Sequence, residues 1–365
     1  MTDFRARFPA LADSVYLASC GLGARSLDLD AALATMLDTM AWPAFEAQVT
    51  QARQRFAALV GATEEEIAVV PNASTGAFQV ASTVDWERRP ELVATDAEFP
   101  SLSHVWLAQR ARGADVLAVP ADRLSDAVSA RTALVSVPLV TYQDGALLPV
   151  ADVAAAAHAV GARVFVDAYQ AVGVVPVDVS ELDCDYLVAG TPKYLLGLPG
   201  LAFLYVRGGL TDDLPPQLTG WFGRVDPYAF DGTTLDFPAT ARRFETGTPA
   251  VPACYAANAG LWLIGGQDPE ALWQHVSDLV AKAAGTLAEQ GEQVRTPPAR
   301  GAHVAFDDEH PRELADWLAE RHIVVSPRGG AVRLSFHHYN NDDDVAAVCA
   351  AIATYRGIHG RHIPG

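Results

Sequence analysis

The chain reads as an α/β protein, with a large domain built on a mainly parallel sheet in an αβα sandwich and a small α+β domain at its C-terminal end. Three observations predict this. Between residues 67 and 205, short apolar segments alternate with helical patterns, as strands buried on both faces require. After Tyr205 the alternation stops, and the C-terminal part returns to a mixture of strands and amphipathic helices. Half of the 365 residues are apolar, enough for one large core and a smaller one. The large domain is expected over 27–255, and the small domain over 1–26 together with 256–365.

SVYLASCGLGARS opens the chain's ordered pattern as a short strand and a turn, followed by a helix over 27–40. Gly21-Leu22-Gly23 is a near miss to the dinucleotide fingerprint, since the third glycine is absent and no acid-ended second strand follows. A second helix is expected over 46–60 from its apolar spacing. The strand Ile67–Val70 then runs into Asn72-Ala73-Ser74-Thr75-Gly76 and a helix. Hydroxyls and a glycine at a helix start suit a phosphate, and they equally suit an ordinary N-cap. Next come the strand Glu91–Thr95, a helix from EFPSLSHVWLAQRA, the strand ADVLAVP and a polar helix. The strand over 132–140 leads through TYQDGALLPV and the helix ADVAAAAHAVGA to VFVDAYQ, and DYLVAGTPKYLLGLPGLAFLY supplies two further strands around a glycine-rich turn. The aromatic, proline-rich stretch after Tyr205 reads as a functional loop or an interface. A helix from Val251 and a long helix over 269–290 precede HVAFDD, the helix PRELADWLAERH, the strands IVVSP and AVRLSF, and a final helix from Asp342.

Composition narrows the function classes. A formal charge of −18 with no offsetting basic patch opposes nucleic-acid binding. There is no apolar run of about 18 residues to span a membrane, and the N-terminus lacks signal-peptide character. Cys20, Cys184, Cys254 and Cys349 are scattered and form neither a zinc pattern nor a disulfide framework. The expectation is a cytoplasmic protein with a small-molecule substrate and no metal.

The chemistry converges on one amine. Of 26 lysines and arginines only Lys193 and Lys282 are lysines, so wherever a positive charge suffices this chain uses arginine. An amine that must lose its proton and attack a carbonyl has no guanidinium substitute. Lys282, in DLVAKAAGTLAEQ, suits a solvated helix face; Lys193, between apolar strands, reads as a Schiff-base nucleophile. In parallel sheets ligands sit at the carboxyl ends of the strands, where Phe99, Thr141, Asp167, Gln170 and Lys193 all fall. If the carbonyl is pyridoxal phosphate, Asp167 can hold the pyridine nitrogen protonated and Gln170 can serve the ring oxygen. Phe99 or His104 can cover the ring, and Ser74, Thr75 and Thr191 can form a phosphate cup. A strand-end Asp is also a common helix cap, and a loop Gln is often merely solvated.

VDAYQAVGVVPVDV, DYLVAGTPKYLLGLPGLAFLYV, RRFETGTPAVPACYAA and VRLSFHHYNNDDDV, in that order, resemble the class V aminotransferase branch of fold-type I pyridoxal-phosphate enzymes. That branch includes cysteine desulfurases, isopenicillin N epimerase-like proteins and kynureninases. The resemblance implies Lys193 as the internal aldimine lysine, Asp167 at the pyridine nitrogen, Gln170 at the ring oxygen, and Ser74 and Thr75 at the phosphate. It implies a homodimer in which Thr248 of FETGTP reaches the neighbouring subunit's phosphate, and Arg333 of VRLS as the clamp on the substrate's α-carboxylate. A planar guanidinium suits that bidentate task. EFPSLSHVW and TGWFG resemble kynureninase segments, which implies Phe99 stacked on the ring and Trp221 and Phe222 near the entrance. The pattern departs from kynureninases at Leu102, Gln170 and Pro192. It departs from cysteine desulfurases because RHIVVSPRGGAVRLS holds no cysteine and Cys349 falls in the last helix. The expected activity is a lyase-type or kynureninase-like cleavage of an amino acid, with transamination or epimerisation as the alternative; a non-catalytic binding homologue would have no need of Lys193, Asp167, Gln170 and Arg333 together.

Overall fold

The structure, a computed structural model, describes residues 4–210 and 214–360, so 1–3 and 361–365 of the expected small-domain segments lie outside it. In chain order its main elements are β1 (Val15–Tyr16), α1 (Leu27–Thr39), α2 (Trp42–Leu59), β2 (Ile67–Val70), α3 (Ala73–Thr83), β3 (Glu91–Thr95) and α4 (Pro100–Ala108). There follow β4 (Asp115–Val119), α5 (Leu124–Ala127), β5 (Thr132–Pro138), α6 (Val150–Ala159), β6 (Arg163–Asp167), β7 (Tyr186–Gly190) and β8 (Ala202–Val206). The C-terminal part comprises α7 (Val251–Gly265), α8 (Pro269–Glu289), β9 (His303–Asp307), α9 (Pro311–Ala319), β10 (Ile323–Val324), β11 (Ser326–Arg328), β12 (Ala331–Ser335) and α10 (Asp342–His359).

A seven-stranded sheet in the order β2-β8-β7-β6-β5-β3-β4 forms the centre. Strands β3 to β7 pair in parallel, whereas β8 is antiparallel to both β7 and β2. The reversal follows from loop length: the turn between Gly190 and Ala202 is too short for the crossover of a dozen or more residues that a parallel neighbour needs. Alternation along each strand feeds two cores. Val164, Val166 and Leu187 join one cluster with α2, α6 and α7, while Phe165, Tyr186 and Val188 join another with α3 and α4. The sheet is therefore covered on both faces, as its apolar strands demand.

Several boundaries differ from the sequence expectation, two of them at places that bear on the architecture. Helix α2 begins at Trp42 rather than 46, because Pro43 sits in its first turn, where proline's fixed φ favours the helix. Strand β5 ends at Pro138, after which the Leu139 N–H still donates to the Asp167 carbonyl of the neighbouring β6 at 2.9 Å.

A second, three-stranded sheet runs β11-β12-β9, and the N-terminal β1 pairs in parallel with β10. The Leu17 N–H donates to the Val324 carbonyl at 2.8 Å, and the Ser335 N–H donates to the Leu17 carbonyl at 2.9 Å. Residues 15–17 are thus tied to β10 and β12 and lead directly to the loop 18–23. Among the described residues no helix is long and apolar enough to cross a membrane.

Candidate active site

The central sheet changes direction of winding between β3 and β5, the point at which open α/β sheets leave a crevice for ligands. A cleft of about 230 Å³ lies there, lined by residues that follow β2 (Asn72, Ser74), β3 (Phe99, Ser101), β5 (Val140, Tyr142), β6 (Asp167, Tyr169, Gln170) and β7 (Lys193). A larger cavity of about 640 Å³ lies between 172–178 and 261–272, but its polar groups, among them Arg55, Asp178 and Glu270, surround no comparable nucleophile.

Lys193 is held in a turn whose backbone is fixed from several sides. The Leu196 N–H donates to the Lys193 carbonyl at 3.1 Å and the Gly197 N–H to the Thr191 carbonyl at 2.8 Å. From the N-terminal loop, the Gly23 N–H donates to the Pro192 carbonyl at 2.7 Å, and a Cβ at Gly23 would run into the Lys193 carbonyl. The Gly21-Leu22-Gly23 motif is therefore a packing surface for the lysine turn. The Lys193 amine stands 4.4 Å from the Tyr169 ring centre and 5.5 Å from that of Phe99. Burial pulls its pKa from the ordinary 10.5 down to about 8; Asp167 and Cys20 oppose the change, and the charges of Arg333 and Arg328 reinforce it. An amine in that range is partly neutral near physiological pH, which nucleophilic attack requires.

Asp167 ends β6, buried, with one oxygen accepting the Tyr169 N–H at 2.9 Å. Burial raises its pKa, while that hydrogen bond and the Lys193 charge counteract the rise. Gln170 is buried, donates from Nε2 to the Cys20 carbonyl at 3.1 Å and leaves Oε1 without a partner. Ser74 lines the cleft from the first turn of α3. Asn72 caps that helix, accepting from the Thr75 N–H at 2.9 Å and the Thr75 hydroxyl at 3.1 Å, so Thr75 is engaged beside the cleft rather than lining it.

Five other expected residues lie away from the cleft wall. Thr191 is buried, and its hydroxyl donates to the Leu198 carbonyl at 2.6 Å, bracing the lysine turn. Arg333 is 1% exposed; it donates to the Tyr142 carbonyl at 2.6 Å and the Ser326 hydroxyl at 2.7 Å, one residue removed from the cleft. Trp221 stacks with Trp42 and Phe230 in an aromatic group on the loop after β8. Thr248 is exposed and lines no part of this chain's cleft, and neither does His104.

Residues not anticipated from the sequence complete the site. Tyr169 lies against the amine, in space left open because position 190 is glycine, where a Cβ would strike its ring. Its place between Asp167 and Gln170 was the available signal. Glu98 lies beneath, 3% exposed, accepting from the Ser136 hydroxyl at 2.5 Å, itself approached by the Trp106 indole N–H at 3.0 Å. Burial and the neighbouring Asp167 push Glu98 up to about 8, so at neutral pH it is mostly the uncharged acid. His303 is fully buried and held neutral, its pKa pulled down to about 3 by burial and by the charges of Arg333 and Lys193.

This donor set fits pyridoxal phosphate. An aldehyde would meet a low-pKa amine, a pyridine nitrogen a buried carboxyl, and a phosphate the first turn of α3, while the unpartnered Gln170 Oε1 marks a polar position open to a ligand.

Comparison with known proteins agrees. The family model for aminotransferase class V matches residues 28–348. The chain is 35% identical to an uncharacterized aminotransferase, YcbU, of Bacillus subtilis (strain 168), over 96% of this chain and 97% of that protein. It is 30% identical to a kynureninase of Deinococcus radiodurans, over 82% of this chain and 76% of the relative. Among solved structures, a C-DES variant with glycine covalently linked to its PLP cofactor superposes with a TM-score of 0.88 at 23% identity, covering 96% of this chain and 98% of that one. The chain thus belongs to the class V aminotransferase family, pyridoxal-phosphate-dependent enzymes of fold type I.

Proposed function

We propose that the enzyme cleaves a bond of an amino-acid substrate in a lyase-type or kynureninase-like reaction. The observation that carries this reading is the placement of Phe99. It opens the Phe-Pro-Ser segment that the chain shares in pattern with kynureninases, and its ring lies 5.5 Å from the Lys193 amine. When bound, pyridoxal phosphate supplies an electron sink for the charge released at the substrate's α-carbon. Asp167 would keep the proton on the ring nitrogen, Gln170 would orient the ring oxygen, and Ser74 with the α3 N-terminus would take the phosphate. Lys193, its pKa lowered to about 8 by burial, would accept the α-proton and return it during cleavage. Arg333 would hold the α-carboxylate, and Phe99 and Tyr169 would keep water from the amine.

Sulfur transfer is disfavoured. The segment 321–335 carries no cysteine, all four cysteines are buried, and burial pushes Cys184 and Cys254 up to about 12 and Cys349 up to about 11. Transamination is the second reading, favoured by the relative of 35% identity named as an aminotransferase. We further infer a homodimer in which the exposed Thr248 completes the site of a second copy; the exposed Trp42, Tyr228 and Phe230 offer apolar surface for the pairing.

A product survey tests the proposal. The holoenzyme is incubated with a panel of amino acids, with and without an added 2-keto acid. Cleavage releases ammonia with a keto acid, or alanine, from a single substrate. A new amino acid formed only when a keto acid is supplied would overturn the cleavage reading in favour of transamination.

A further inference from the structure

The three-stranded sheet turns a cationic face toward the cleft. Directly opposed residues of an antiparallel pair share a face, and alternate residues of a strand do so too. Ser326 is opposite Arg333, and Arg328 is opposite Ala331. Ser326 and Arg328 of β11 and Arg333 of β12 therefore stand on one face. The Arg333 guanidinium lies along it, donating to the Ser326 hydroxyl and to the carbonyl of Tyr142, which lines the cleft.

The two arginines are in different states. Arg333 is buried with three acceptors, the third being the Ser326 carbonyl at 3.5 Å. Arg328 is exposed and makes no hydrogen bond or ion pair among the described residues, although it stands on the same face as Arg333. In a chain of formal charge −18 an idle arginine has carboxylates in plenty to choose from. Its neighbour Arg295 does pair with Asp307, and it also donates to the carbonyls of Gly329 and Gly330 at 3.1 Å each. Arg295 thus fastens the turn that follows Arg328, while the Arg328 guanidinium stays open on the face it shares with Arg333.

We propose that Arg328 is a second anion clamp, and that the substrate is an amino acid whose side chain ends in a carboxylate. This rests on the reading above, in which Arg333 takes the α-carboxylate. The side-chain carboxylate would meet the Arg328 guanidinium, whose planar fork matches it. An uncharged aromatic side chain of the kynurenine type leaves that charge unanswered, so the inference narrows the substrate class.

The test is a spectral titration of the holoenzyme with L-glutamate and L-aspartate against L-glutamine and L-asparagine, which match them in size and lack the charge. In the wild type the acids should bind about 10-fold or more tightly than their amides, with the preference shrinking as salt is added. Arg328→Gln should bring the preference close to one, and Arg328→Lys should restore part of it. Equal binding of acids and amides by the wild type, or an undiminished preference in Arg328→Gln, overturns the clamp while leaving the amino-acid reading in place. No spectral response to any amino acid overturns both.

Discussion

Replacing Lys193 by methionine should make the cofactor-free protein more stable at neutral pH. The folded protein lowers this amine's pKa from 10.5 to about 8, because burial disfavours the ammonium. A drop of about 2.5 pH units at about 1.4 kcal/mol per unit amounts to about 3 kcal/mol of cost at pH 7. Methionine fills a similar volume without charge. The gain falls short of that ceiling because Asp167 loses its ammonium neighbour and must ionise alone in a buried site. The sign with pH follows from linkage. A lysine whose folded pKa is depressed binds its proton more tightly unfolded, so wild-type stability rises with pH between about 8 and 10.5. The methionine variant lacks that rise, and its advantage should be full below about 8 and fade above it. Urea unfolding of both cofactor-free proteins at pH 7 and pH 9.5 measures the difference. A variant less stable than wild type at pH 7, or a difference independent of pH, would refute the assignment of Lys193 as a buried, destabilised amine.

Asp167→Asn should keep the fold but lower turnover by on the order of 100-fold, since an amide does not stabilise a protonated ring nitrogen; steady-state kinetics on the substrate found in the product survey reads it. Gly23→Ala should cost about 1–3 kcal/mol, as overpacking against a backbone carbonyl does, and weaken cofactor retention because the Lys193 turn must shift; thermal unfolding and the cofactor-to-protein ratio check this. Glu98→Gln should remove a fall in stability between about 4.5 and 8. A carboxyl whose folded pKa is raised to about 8 favours the folded state only while protonated, so wild-type stability declines through that window and the glutamine variant's does not. Unfolding midpoints across the range would show the two curves diverging as pH rises.

Much of the scaffold was legible because buried strands and amphipathic helices write their periods directly into the chain. Ile67–Val70 and Glu91–Thr95 form as expected, and both deliver their following loops to the cleft. The antiparallel direction of β8 is less visible, since an apolar run carries no polarity and only the short turn before it decides the matter. The start of α2 was hidden because apolar spacing alone places it at 46, whereas proline is at home in a first helical turn and the helix begins at Trp42. In the site, Lys193, Asp167, Gln170, Phe99 and Ser74 meet because strand ends are countable from sequence. Tyr169 and Glu98 escaped notice for a physical reason: a tyrosine in a loop and a glutamate before Phe-Pro look solvated until the fold buries them. Thr191 shows the converse. Its hydroxyl looks available in Gly-Thr-Pro-Lys, but the turn's own carbonyls claim it.

Attachment of the cofactor to Lys193 can be read directly, because the chain offers only one other lysine. The holoenzyme is reduced with borohydride, digested, and its peptides are weighed by mass spectrometry. Loss of the visible cofactor absorbance is expected, with the mass of reduced pyridoxal phosphate on the peptide containing Lys193. The mass on the peptide containing Lys282, or on no peptide at all, would contradict it.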